Sequence, residues 1–196
     1  MATGLTVNDL AYIGQAPTIA PVAYVAERWG GMQGPGGQST LLLVSGTAYF
    51  VFLGVVVKDF TPAYCKFHVS TAGAGAQTAE VGFFSTPLPP NAASQVLTKL
   101  VSTGTITSLT ATGVKQNSSA FTTKVVRGTN LWAGVRTAMA TTQPTPNAFN
   151  RDYARGNILT TAAAGALTDA GPWTGATIAA TTGTGEGPVM FWALDA

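Results

Sequence analysis

The hydrophobic and polar positions of this chain fall into short runs, and the longest lie end to end within residues 47–84. Residues 49–57, 63–69 and 79–84 are rich in β-branched and aromatic side chains, which suit a pleated, half-buried surface. Between them stand Lys58-Asp59-Phe60-Thr61-Pro62 and Thr71-Ala72-Gly73-Ala74-Gly75-Ala76, which read as turns. The unbroken apolar run 49–57 predicts a strand covered on both faces, at the centre of the domain or at a subunit interface. Gly54 inside it predicts a bulge or a close backbone approach. In 63–69 the alternation is clean: Cys65, Phe67 and Val69 face one way, Tyr64, Lys66 and His68 the other, where His68 is expected to be solvated. In the next run Ala79, Val81 and Phe83 face inward while Thr78 and Glu80 face outward. If these two strands pair, Glu80 sits across from Lys66 or His68.

The same grammar runs through the rest of the chain. Strands are predicted at 41–44, 95–102, 105–112, 121–127, 131–140, 153–160, 177–182 and 189–194. A Pro-rich loop at 85–94, a polar turn at 113–119, a tight connection at Gly128-Thr129-Asn130 and long loops at 141–152 and 162–187 separate them. No run of ten residues carries helical periodicity, and Gly165 with the paired Thr160 and Thr161 opposes a helix in the Ala-rich stretch 159–167. Short strands at regular spacing predict an all-β fold, an antiparallel β-sandwich of jelly-roll type.

Residues 1–40 differ. Pro17, Pro21, Pro35 and several glycines break the segment, yet it holds Tyr12, Ile13, Ile19, Val22, Tyr24 and Trp29, more apolar surface than a disordered tail carries. It predicts an extended N-terminal arm, followed by a sandwich domain over 41–196. The arm lies on this domain as an edge strand, on a sister subunit or on another protein, and those six residues are the candidate partner contacts.

Composition narrows the function classes. Only 9% of the 196 residues are charged, against roughly 25% in an ordinary soluble domain, which suits a protein packed in an assembly. The net charge is +2 and the ten basic residues are spread along the chain, so no phosphate-binding footprint is expected. The apolar run 49–57 is far short of the ~20 residues of a membrane-spanning helix, and no secretory signal is expected after Met1-Ala2-Thr3-Gly4. Asn117-Ser118-Ser119 matches a glycosylation sequon that such a chain would not use. The single cysteine, Cys65, reads as a small buried hydrophobe.

Catalytic chemistry is hard to place. One histidine and one cysteine exclude a metal site built from several His and Cys ligands, and no Gly-x-Ser-x-Gly elbow is present. Asp152, Asp169 and Glu186 on the C-terminal loops are the best carboxylates for glycoside hydrolysis, but no two of the eight carboxylates sit close in sequence. Gly73-Ala74-Gly75 and Gly183-Thr184-Gly185-Glu186-Gly187 do not open a helix, so they read as turns rather than phosphate loops. The expectation is a protein that is not an enzyme and takes no cofactor or metal. Trp132 and Trp192 read as strand residues. Trp173, between Gly171-Pro172 and Thr174-Gly175, reads as a loop residue, and with Phe149 and Tyr153 it is the candidate platform for a glycan.

Residues 41–138 resemble the jelly-roll modules in virion proteins of tailed bacteriophages, particularly tail-fibre C-terminal domains. The features that match, in order, are Lys58-Asp59-Phe60-Thr61, Phe67-His68-Val69-Ser70-Thr71-Ala72-Gly73-Ala74-Gly75, Ala79-Glu80-Val81-Gly82-Phe83-Phe84, Thr112-Gly113-Val114-Lys115 and Gly128-Thr129-Asn130-Leu131-Trp132-Ala133-Gly134-Val135. The resemblance implies a non-enzymatic module, usually trimeric, on the outside of a particle. The chain departs from tail fibres in having the 40-residue arm where a shaft would be, and so looks more like a capsid decoration or cement protein. That implies a virion-surface protein made in the host cytoplasm, bound to the major capsid protein or another virion protein and self-associating as a homotrimer. The alternative it implies is a tail component that recognises host surface glycan. No residue-level site transfers with the resemblance.

Overall fold

The computed structural model describes residues 10–11, 39–56, 58–87, 94–148, 158–161, 167, 173–177 and 190–193. These residues form an all-β fold. Its strands are β1 (Leu10–Ala11), β2 (Ser39–Thr40), β3 (Ala48–Val56), β4 (Tyr64–Thr71), β5 (Gln77–Thr86), β6 (Ser94–Thr103), β7 (Gly113–Gln116), β8 (Asn130–Met139), β9 (Thr145–Ala148), β10 (Ile158–Thr161), β11 (Trp173–Thr177) and β12 (Met190–Ala193).

All pairings are antiparallel, and they make two sheets. In the first, β8 lies between β3 and β5. β5 pairs with β6, β6 with β11, β11 with β10, and β10 returns to β3, so the pairings close a circuit. In the second sheet β4 is flanked by β7 on one edge and by β12 and β9 on the other, with β2 beyond β9.

The layer β3–β8–β5 carries a different core on each face. Tyr49, Val51, Leu53, Val81, Phe83, Leu131, Ala133 and Val135 meet Cys65, Phe67 and Val69 of β4 and Met190 of β12, which packs the two sheets together. The opposite face carries Ala48, Phe50, Phe52, Phe84 and Trp132 with Leu97 of β6 and Leu167, and lies within the circuit. The run 49–57 is therefore a central strand with both faces covered inside one chain: every residue from Ala48 to Val56 is buried except Val55, which is half-buried.

Glycine makes two features of this layer possible. The register of β3 against β8 shifts between Phe52 and Gly54, and Gly54 has φ +128°, so the expected bulge is present. Gly134 sits opposite Phe50 and lets Phe50 and Phe84 meet edge to face, with ring centroids 4.9 Å apart. Phe52 and Trp132 pack with centroids 5.2 Å apart, and the Trp132 indole N–H donates to Thr86 Oγ1 at 3.0 Å.

Several expected elements differ. Residues 105–112 hold an isolated bridge at Ile106 to Asn117 instead of a strand, and 121–127 hold one at Val125 to Phe60. Their β-branched runs resemble strands but are held by one bridge each and a few scattered hydrogen bonds at the rim of the core, where Ile106, Leu109, Phe121 and Val125 are buried. The expected polar turn at 113–119 contains β7, whose polar residues gave no strand signal and which forms because β4 offers a free edge. The expected loop 141–152 contains β9 despite Pro146, which pairs with Val69. The strand expected at 41–44 is absent, since β2 ends at Thr40. Leu41 and Leu43 N–H donate to Pro146 and Pro144 carbonyls at 3.1 and 3.3 Å, and the prolines have no N–H to return.

Two pieces of the expected arm belong to these sheets: β1 pairs with Val55 and Val56, and β2 with Asn147 and Ala148. The β2–β9 ladder runs on into Leu41, across the domain boundary expected at residue 40.

A methyl group at Gly134 would stand 2.7 Å from Phe84 and 2.8 Å from Phe50, which overpacks two rings already in contact. Gly134→Ala is expected to lower stability by about 1–3 kcal/mol in denaturant titration.

Candidate functional site

The chemistry-bearing side chains collect in three places: a buried ion pair inside the strand circuit, a polar knot at the start of β4, and the rims of the second sheet. The first corrects an expectation. β5 pairs with β6 and β8, so Glu80 stands across from Arg136 and not from Lys66 or His68. The alternation did put Glu80 on the face opposite Val81. That face is covered too, and Glu80 is only 5% exposed. Its Oε2 accepts the Leu167 backbone N–H at 2.7 Å and lies 3.5 Å from Arg136 Nη1. Arg136 Nε donates to the Gly46 carbonyl at 3.2 Å, and Ser102 Oγ donates to the Leu167 carbonyl at 2.6 Å. The carboxylate is thus committed to a cation and a backbone donor. It ties Leu167, on the β10–β11 connection, into the second core.

The second place is Asn117, fully buried. Its Oδ1 accepts the Cys65 N–H at 2.8 Å, and its Nδ2 donates to the carbonyls of Ala63 and Ser119 at 2.9 and 2.6 Å. A side chain so committed is closed to glycosylation in the folded chain, although it lies in a sequon. Cys65 beside it is buried, and desolvation pushes its thiol well above the ordinary range, which removes it as a nucleophile.

On the second sheet the outward-facing residues are less solvated than their alternation suggests. Lys66 is buried, with its ammonium 5.6 Å from the centre of the Tyr64 ring. His68 is half-buried rather than solvated, and its Nδ1 is buried with no hydrogen-bond partner among the described residues. Lys115 on β7 is buried as well. Desolvation lowers its pKa, and its Nζ donates to the Thr112 carbonyl at 3.2 Å. Among the described residues no group of three or more His, Cys, Asp or Glu side chains comes together as a metal site would require.

Of the candidate glycan platform only the Trp173 backbone lies among the described residues. Trp173 begins β11 and its backbone pairs with Leu97, so it lies on a strand and not on a loop. Gly171-Pro172 suggested a loop because a strand of four or five residues beside glycines has little local signal. Phe149 and Tyr153 lie outside the described residues, as do the carboxylates Asp152, Asp169 and Glu186. The partner contacts Tyr12, Ile13, Ile19, Val22, Tyr24 and Trp29 also lie outside them.

What the sequence reading missed is an apolar edge. Leu42 and Val44 are 59% and 58% exposed at the outer rim of the second sheet, while Leu43 between them is 2% exposed. A signal was there: in a run Leu41-Leu42-Leu43-Val44 beside one core, alternate residues must face away from it. Val44 N–H donates to the Tyr49 hydroxyl at 3.2 Å, which fixes this rim to β3. Burial raises the Tyr49 pKa.

Comparisons with protein-family models, with curated proteins and with solved structures find no match to this chain.

Two outcomes follow from these contacts. Glu80→Ala would leave the Arg136 cation and the Leu167 N–H facing a cavity, and is expected to cost about 3 kcal/mol in denaturant titration, with Glu80→Gln, which keeps an acceptor, costing less. The exposed Asp59 carboxylate is held below its usual range, first by the hydrogen bond from Lys124, 2.7 Å away, and then by the Arg127 N–H. Its folded pKa is lowered, so its stabilisation is present above the ordinary carboxylate range and is lost as pH falls through the lowered value. Asp59→Asn is expected to flatten that acid limb of the stability–pH curve and leave the neutral limb parallel to the parent protein's.

Proposed function

We propose that this chain is a non-enzymatic structural protein of a tailed-phage virion, a capsid decoration protein that stabilises the head. One observation supports this above the others: the middle layer of strands is buried on both faces within a single chain. The side chains of this layer are committed to packing, which makes a stiff scaffold. A surface poor in charge, with 9% charged residues overall, lowers the desolvation cost of lying against neighbours.

The setting on a virion comes from the resemblance to jelly-roll modules. That resemblance rests on antiparallel layers and on the motifs from Lys58 to Val135, and jelly-roll strand order is part of the proposal. The partners are the major capsid protein or another virion protein, together with further copies of this chain. The apolar residues before β2, Tyr24 and Trp29 among them, carry the attachment. The second reading is a tail component that recognises host surface glycan, with Trp173 at the start of β11 as its main contact.

Cryo-EM of particles carrying this chain is expected to place it on the head. Density confined to the tail would overturn the decoration role in favour of host attachment. Replacing Tyr24 and Trp29 together by alanine is expected to lower occupancy on the head by roughly tenfold or more, as loss of buried aromatic anchors does. Unchanged occupancy would remove these residues as the anchor.

A further inference from the structure

We propose that the 40–44 edge of the second sheet pairs antiparallel with the same edge of a second copy of this chain. The register through Thr40 and Asn147 continues with Leu41 and Leu43 N–H bonded to Pro146 and Pro144. The residue between them, Leu42, therefore turns its N–H and C=O away from β9, and neither has a hydrogen-bond partner among the described residues. Its side chain and that of Val44 are 59% and 58% exposed. An open edge with apolar side chains is a template for another strand. Proteins ordinarily blunt such edges with lysine, with proline on the outer strand or with a bulge. Here no charged residue occurs anywhere from 29 to 57, and of the two prolines facing the edge Pro146 stands on the inner strand, β9, and Pro144 just before it.

The occupant follows from that composition. An uncharged edge meets its own copy with no like-charge contact and no ion to desolvate. A two-fold axis at Leu42 lets each Leu42 N–H donate to the other copy's Leu42 carbonyl and sets the Thr40 side chain opposite that of Val44, whose own N–H and C=O are taken within the chain by Tyr49 and Thr47, so the interface is isologous, confined to Leu42 in its backbone bonds, and self-limiting. The Val44 bond to Tyr49 holds the edge in place before the partner arrives. The contact is short, below the ~1,000 Å² of a stable interface, so it operates at high local concentration, as between copies on a shared surface. It does not depend on the virion reading.

Disulfide trapping of the full chain tests it. Leu42→Cys is expected to form a disulfide-linked dimer about tenfold faster than Val126→Cys, a control at a comparably exposed position (54%), and Cys65 is buried and silent. Adding Val44→Lys to Leu42→Cys is expected to bring its rate down to the control's. Equal rates for the two single variants, or a Leu42→Cys rate unmoved by Val44→Lys, would overturn the proposal.

Discussion

The structure depends on one constraint: the layer β3–β8–β5 has no face left for water. A strand solvated on one side alternates apolar and polar residues. A strand covered on both must be apolar throughout, and any polar group it carries must find a partner within the protein. β3 meets this by composition alone, from Ala48 to Val56. β5 and β8 contain ionisable residues, and these are placed opposite each other, Glu80 against Arg136. The rest of the molecule supplies the two covers. The second sheet closes one face, and the strands that run from β6 through β11 and β10 back to β3 close the other.

Covering both faces brings a geometric problem, because aromatic side chains on adjacent strands must share one narrow interior. The rows solve it by alternating size: Phe52, Trp132 and Phe84 form one row, and Phe50, Gly134 and Gly82 the next. Gly134 opens the space into which Phe50 and Phe84 turn edge to face, and Gly82 lets β6 approach closely at Val101 and Ser102. Loops are then tied to this rigid layer by single buried polar side chains. Glu80 holds Leu167, and Gln77 Oε1 accepts the Leu109 N–H at 2.7 Å. Asn117 does the same for the start of β4. Each replaces a backbone ladder with one side chain that satisfies groups which would otherwise be buried unpaired.

The sequence made the middle layer legible because its signal is intrinsic: a nine-residue apolar strand can only be doubly covered, and the glycine in it could be read as a bulge. The inward faces of β4 and β5 were legible by alternation. What was hidden is tertiary in origin. Glu80 was read as solvent-facing because alternation separates two faces but does not say whether the second is wet. β7 and β9 are four-residue strands, Gly-Val-Lys-Gln and Thr-Pro-Asn-Ala, and form because β4 has edges to fill. Residues 105–112 and 121–127 show the reverse, strong β-branched patterns without a neighbour to pair with beyond one bridge each. The edge at Leu42 was hidden for a related reason, since an apolar run reads as core until the topology shows which half of it the core receives.

Rigidity and low charge act together at the surface. A chain with few ions lacks the mutual repulsion that keeps ordinary domains apart, and among the described residues several charges are engaged within the fold: Glu80 and Arg136 with each other, Asp59 with Lys124, Lys115 with a backbone carbonyl. What such a surface offers a neighbour is shape, backbone hydrogen-bonding groups and scattered apolar side chains. Recognition of that kind is weak at any one contact and gains strength from repetition, because each further contact between already juxtaposed copies is made at a high effective concentration. A stiff scaffold suits it, since no conformational entropy is lost when copies are placed side by side. On the proposed reading, the double burial of the middle layer and the low charge act together, since packing within the chain fixes the shape that a neighbouring chain would meet.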